Sequence, residues 1–215
     1  MKTLNFISGL GADERVFQYL DVPVPDKNFV KWIDPRKNES LENYAARLAS
    51  QIDPSKENVL ICVSFGGLIG IELSKFFRFD KVILISSVKN KKEIPFYYRI
   101  AGLLRIDKFL PVFMFKSLTP LMLYLFGITD ISEKELFREI IRETDAGFLK
   151  WAITRILCWK NIIHSDDIYH IHGTSDRLLP VKNIKNCIKV QGGHHFMVVS
   201  RSGEISGIIN EILSF

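Results

Sequence analysis

Apolar residues recur along this chain with two different periods. Thr3–Ile7 is a short strand-like run that ends at Ser8-Gly9-Leu10-Gly11, and Asn28–Ile33 is a second. Val59–Val63 and Lys81–Ser86 are apolar without alternation, as expected of strands covered on both faces. Between them the spacing turns helical. Ser40 has the character of an N-cap, followed by Leu41, Tyr44, Ala45 and Leu48 on one stripe, and Phe65–Phe77 reads as a helix opened by glycines. Strand and helix alternate, which predicts a mostly parallel sheet with helices on both faces.

The alternation stops near residue 88. From Lys89 to Lys160 only helical periods are found, broken by prolines and by Gly127. Ser132 is placed to cap a helix running to about Arg142, with Glu135 completing a capping box. Asp145–Trp159 is a further helix. Strand patterns then return at Asp167–His172 and Cys187–Val190, and Ile205, Ile208, Ile209 and Ile212 mark one face of a closing helix. Because sheet-forming sequence lies on both sides, residues 88–160 are expected to be a helical insertion into a single α/β domain spanning residues 1–215.

Composition narrows the class. With 215 residues, 47% hydrophobic and 25% charged, the chain can bury a core without staples and is not a disordered or low-complexity protein. The net charge of +5 is unevenly placed. Residues 1–87 carry 11 basic and 11 acidic groups, and residues 161–215 carry 5 of each. The excess sits in the middle, where residues 88–116 hold Lys89, Lys91, Lys92, Arg99, Arg105, Lys108 and Lys116 against Glu93 and Asp107. A neutral body with one basic stretch does not provide the broad basic face of a nucleic-acid binder. Basic residues interleaved with aromatics could give residues 88–116 a weak contact with an anionic lipid surface.

Cys62, Cys158 and Cys187 are odd in number and lack C-x-x-C spacing, which argues against a disulfide framework and a zinc site. The N-terminal apolar run is too short for a signal-peptide core. The most apolar segment, Phe109–Ile128, is broken by Pro111, Lys116 and Pro120, so no membrane-spanning helix is expected. A cytoplasmic protein is the expectation.

Three stretches carry candidate chemistry. In Cys62-Val63-Ser64-Phe65-Gly66-Gly67 a buried strand runs into a glycine-rich helix start, so a sharp turn would lift the Ser64 hydroxyl to the helix N-terminus. The plain alternative is that Ser64 caps the helix. In His172-Gly173-Thr174-Ser175-Asp176-Arg177-Leu178-Leu179-Pro180, Asp176 follows a strand end, where ligand-facing groups of open α/β sheets collect. It could equally be a turn residue bonded to its own backbone. In Gln191-Gly192-Gly193-His194-His195-Phe196, two glycines deliver a histidine pair onto a loop, and either ring could simply be a core or surface histidine.

A serine at a strand-to-helix elbow, an acid after a later strand and a histidine after the last strand occur in the order Ser, Asp, His. In this the chain resembles the α/β-hydrolase superfamily over nearly all of its length outside residues 88–160. The resemblance implies a serine hydrolase in which Ser64 is the nucleophile, His195 the base and Asp176 the acid that orients it, with His194 as the second choice for the base. It implies an oxyanion hole from the backbone N–H groups of Leu10 and Phe65. No metal or organic cofactor is implied. Two positions depart from the family. Cys62 replaces the first glycine of the usual G-x-S-x-G elbow and is expected to be a core residue, and Ser8 stands where the family often has His.

The family keeps its lid at the position of residues 88–160. Aromatic residues such as Phe96, Tyr98, Phe113 and Phe126 there imply a small-molecule substrate with an apolar group, cleaved as an ester or thioester. Amide, C–C or perhydrolase chemistry can run on the same groups. A protein that binds a small molecule on this scaffold without catalysis is the alternative of a different class.

Overall fold

The computed structural model describes residues 2–105, 119–162 and 168–214. Six strands, β1 (Lys2–Ile7), β2 (Lys27–Phe29), β3 (Glu57–Val63), β4 (Lys81–Ile85), β5 (Ile168–Gly173) and β6 (Ile188–Val190), form one sheet. Their order is β2-β1-β3-β4-β5-β6, and every neighbouring pair is parallel. In register, Phe6 pairs with Ile61, Ile61 with Ile83, and Ile85 with Ile171.

The lack of alternation in β3 has a direct cause. Val59, Ile61 and Val63 face one layer, where Ile205, Ile209 and Ile212 of a C-terminal helix pack. Leu60 and Cys62 face the other, against α1 (Leu41–Leu48) and α2 (Phe65–Leu73). Leu60 and Ile61 are both fully buried, and each such side chain contributes about 1.5–3 kcal/mol of transfer free energy. Ser40 caps α1 as expected, its hydroxyl accepting from the Asn43 N–H.

Among the described residues, four helices lie between β4 and β5: α3 (Phe96–Leu103), α4 (Thr119–Phe126), α5 (Ile131–Glu143) and α6 (Ala146–Cys158). A short α7 (Met197–Ser200) and the closing α8 (Ser202–Ser214) complete the chain. The helical segment is tied down at several points. The Trp151 indole N–H donates to the Glu39 carbonyl (3.0 Å), and that of Trp159 to the buried Glu72 carboxylate (2.7 Å). Arg15 bridges Asp13, in the loop after β1, to Glu139 and Glu143 on α5. The Lys91 N–H donates to the Asn161 carbonyl (2.8 Å), closing the base of the segment.

Several elements differ from the sequence reading. The second strand is Lys27–Phe29, not Asn28–Ile33. It is an edge strand, and beyond it the Ile33 backbone is held by the Tyr44 hydroxyl instead of a neighbouring strand. The helix after Ser64 ends at Leu73, and Ser74–Phe76 continue as turns. The α5 cap is Asp130, not Ser132. The carboxylate accepts from the N–H groups of Ser132 and Glu133 and from the Ser132 hydroxyl, so that hydroxyl is spent as a donor. Lys89 does not belong to a basic surface. It is 4% exposed, and its ammonium donates to the Lys185 carbonyl (2.6 Å) with Glu93 3.9 Å away. Arg99 is exposed beside Phe96, Tyr97, Ile100 and Leu103 on α3. Lys108, Phe109, Pro111, Phe113, Phe115, Lys116 and Asp167 lie outside the described residues. Among the described residues no helix is long and apolar enough to cross a membrane.

Candidate active site

The topology dictates where a site can form. From β1 the chain goes to β2 on one side, and from β3 it goes to β4 on the other. The loops after β1 and β3 therefore diverge, leaving a crevice at the carboxyl ends of these two neighbouring strands. Ser64 follows β3 at this crevice, and Ser8–Ala12 follow β1.

Ser64 does not cap α2. Its side chain makes no capping hydrogen bond, and its backbone is at φ 52°, ψ −118°, a conformation that costs a non-glycine residue about 1–3 kcal/mol. This sharp turn directs the hydroxyl to the Nε2 atom of His195 at 2.9 Å. His195 is in turn bonded through Nδ1 to Asp176 Oδ2 at 2.8 Å. Asp176 makes both a turn contact and a contact to the ring: Oδ1 accepts from the Leu179 N–H (2.8 Å) within its own turn, while Oδ2 faces His195. Burial pushes the Asp176 carboxyl upward. The His195 ring, the Leu179 N–H and His172 outweigh that effect and hold it below the usual carboxylate range, so Asp176 is an anion at neutral pH. His194 points elsewhere and bonds through Nδ1 to the Ser175 carbonyl (3.0 Å).

The elbow is built by close packing. A Cβ on Gly66 would run into the backbone carbonyls of Ile7 and Ser8, so only glycine lets α2 approach the loop after β1. Cys62 is accommodated by a second glycine. Its fully buried thiol sits where a Cβ on Gly70 would lie, 2.6 Å away, and burial pushes its pKa upward. We predict that Gly70→Ala destabilises the fold by about 1–3 kcal/mol, the usual cost of overpacking. Adding Cys62→Ala should recover most of that loss. Urea unfolding of the single and double variants measures both, and equal stability of Gly70→Ala and wild type would exclude this contact.

The loop after β1 approaches the serine at Gly9, where an added Cβ would be 3.5 Å from that of Ser64. The loop is held by Ala12, whose carbonyl accepts from the Ser8 hydroxyl (2.5 Å) and the Trp32 indole (2.8 Å). Ser8 therefore supports the loop from behind. Leu10 and Phe65 both border the cavity in front of Ser64. Neither backbone N–H has an internal acceptor among the described residues.

Three residues beside the site have contacts that the sequence does not reveal, although Phe126 already stands among the aromatics of the insertion. Ser87 is buried behind the elbow, and its hydroxyl donates to the Ser64 carbonyl at 2.6 Å. Its position just past β4, next to β3, was the available signal. Phe126, at the end of α4, places its ring edge-on to His195, with centroids 4.8 Å apart. His172 lies 3.5 Å from Asp176.

The cavity in front of Ser64 has a volume of about 350 Å³. Among its described lining residues, Ser64, His195 and Tyr98 supply the polar side-chain groups, and none is Asp, Glu, Lys or Arg. Burial raises the pKa of the Tyr98 phenol, which keeps it a protonated hydrogen-bond donor. Leu149, Ile153 and Ile156 of α6 form one wall at helical spacing, and Met122 and Leu125 of α4 contribute another part.

No sequence family model matches the chain, and no curated protein matches it in sequence. Solved structures do. An esterase from Thermogutta terrifontis superposes with a TM-score of 0.67 at 13% identity, covering 100% of this chain and 90% of that one. A bromoperoxidase from Bacillus anthracis gives 0.68 at 15% identity, with 100% and 93% covered. A lipase-esterase related protein from Clostridium acetobutylicum gives 0.66 at 18% identity, with 98% and 93% covered. At these identities the likeness concerns the backbone architecture, and that architecture is shared over essentially the full chain: the protein has the α/β-hydrolase fold.

Proposed function

We propose that the protein is a serine hydrolase that cleaves a carboxylic ester or thioester carrying an apolar acyl group. One observation carries the reading. Ser64, His195 and Asp176 are joined in a continuous line of hydrogen bonds, 2.9 and 2.8 Å long, at the wall of an uncharged apolar cavity. The esterase neighbour supports the reading, since the same backbone architecture carries an esterase in another organism, and the bromoperoxidase neighbour carries a different named activity on it.

In this reading Ser64 Oγ attacks the substrate carbonyl carbon while His195 Nε2 takes its proton. The carbonyl oxygen becomes an oxyanion held by the Leu10 and Phe65 N–H groups, each worth about 3 kcal/mol to the transition state. Collapse breaks the bond to the alcohol or thiol, which leaves with the proton from His195. Water then attacks the acyl-Ser64 ester, again with His195 as base, and releases the acid. Asp176 stays ionised throughout and stabilises the imidazolium. The α3–α6 segment serves as the lid, and the acyl chain lies among the residues of α4 and α6. At about 30 Å³ for a group the size of a water or a methylene, the cavity holds on the order of ten heavy atoms.

The experiment is a series of nitrophenyl esters from acetate to palmitate. Turnover should peak at medium chain length, and Ile153→Trp should move the peak to shorter chains by filling the α6 wall. Turnover of no ester at any length would overturn the reading. An unmoved optimum in Ile153→Trp would remove the acyl chain from this wall.

A further inference from the structure

Two buried histidines have no part in the chemistry just described. His170 and His172 are alternate residues of β5, so their side chains share one face of the strand. They are 1% and 0% exposed, and their rings meet edge to face. We propose that they form a tautomer-setting pair that positions Asp176: His170 donates to His172, which fixes the proton of His172 on the nitrogen that faces the acid turn. The positioning role rests on the reading of Asp176 as the triad acid.

The protons follow from the partners. His172 Nε2 is 2.7 Å from the Leu179 carbonyl oxygen, which can only accept, so Nε2 carries a hydrogen. The same N–H lies 3.5 Å from Asp176 Oδ2, and Asp176 Oδ1 accepts from the Leu179 N–H. His172 thus braces the Asp176–Leu179 turn from below and turns a positive dipole toward the carboxylate. A neutral ring protonated at Nε2 has its lone pair on Nδ1. That atom faces His170 Nε2 at 3.3 Å, so His170 is the donor. The remaining nitrogen, His170 Nδ1, is buried without a hydrogen-bond partner.

Charge explains why a neutral pair suits this place. The titratable and charged groups facing the two rings are Asp176, His195 and Lys89. Burial pushes both rings away from the protonated form, His170 to about 3, and the Asp176 anion only partly opposes this at His172. A cationic His172 would compete with the His195 imidazolium for one carboxylate. A neutral N–H donor orients that carboxylate and leaves its charge to His195. The opposite tautomer would set a lone pair of His172 against both the Leu179 carbonyl and the Asp176 carboxylate.

Nitrogen–proton correlation NMR through long-range couplings reads the tautomers directly. In the wild type at pH 7.5 both rings should be neutral and protonated at Nε2. His170→Phe should cost His172 its single tautomer, while His170→Gln, which retains a donor, should keep it. In ester turnover His170→Phe should lower kcat about tenfold at unchanged KM. It should also raise the acid limb of kcat/KM by about half a pH unit, because a carboxylate deprived of the N–H dipole attracts the imidazolium more strongly. His170→Gln should stay close to wild type in both. The proposal is overturned by a doubly protonated or Nδ1-protonated His172 in the wild type. It is equally overturned if the acid limb of His170→Phe is unmoved or moves down, or if His170→Phe and His170→Gln behave alike. The NMR readout needs no turnover. Correct tautomers in a wild type that cleaves no ester therefore count against the triad reading, and with it against the positioning role, whereas a wrong tautomer in an active enzyme counts against the pair alone.

Discussion

Ser64→Ala should abolish labelling by a fluorophosphonate probe and reduce ester turnover about a million-fold, the scale on which removing a serine nucleophile reduces such enzymes to residual catalysis. The hydroxyl is irreplaceable here for a geometric reason. It stands on a backbone at φ 52°, at the start of α2, and it meets His195 Nε2 at 2.9 Å. Alanine removes the attacking oxygen and leaves the elbow, the cavity and the Leu10 and Phe65 N–H groups in place. The residual rate of the variant therefore measures what binding and the oxyanion donors contribute alone. Intact-mass analysis after probe treatment gives the readout: one adduct on the wild type and none on the variant. Equal labelling of the two would place the nucleophile elsewhere and remove the basis of the proposed mechanism.

The second large effect separates two adjacent residues. His195→Ala should lose nearly as much activity as Ser64→Ala, and the double variant should lose little more, because the two groups act as a unit. His194→Ala should stay within about tenfold of wild type, since its ring bonds to the Ser175 carbonyl and packs against Gly127 instead of reaching the serine. Single-turnover kinetics on an activated ester would show both. A crippled His194→Ala beside an active His195→Ala would reverse the assignment of the base.

The fold was legible wherever one-dimensional pattern and three-dimensional environment coincide. Val59–Val63 lacks alternation because both of its faces are covered, and that signature survives in the bare sequence. Ser64, Asp176 and His195 stand out in the sequence because each follows a strand and has a glycine within three residues. What escaped depended on direction or distance. Ser132 and Asp130 are both capping residue types, and only geometry shows which one accepts. Lys89 counts as a surface charge until β6 and its preceding loop close over it. Ser87, His170 and His172 looked like a strand end and a strand interior. Their roles arise from neighbours in adjacent strands and loops, and no local spacing encodes them.

The three tryptophans of this chain give it an optical property of its own. The Trp32 ring lies 5.5 Å from that of Phe65, beside Ser64, and its indole holds the loop that carries Leu10. Trp151 lies 6.2 Å from the same ring, and Trp159 reaches from the end of α6 to a carboxylate inside α2. Each indole therefore bridges segments that are far apart in the chain, and two of them lie against Phe65, the residue next to Ser64. Intrinsic emission should therefore report the seating of α6 against α1 and α2, and any ligand that reaches Phe65, without any added label.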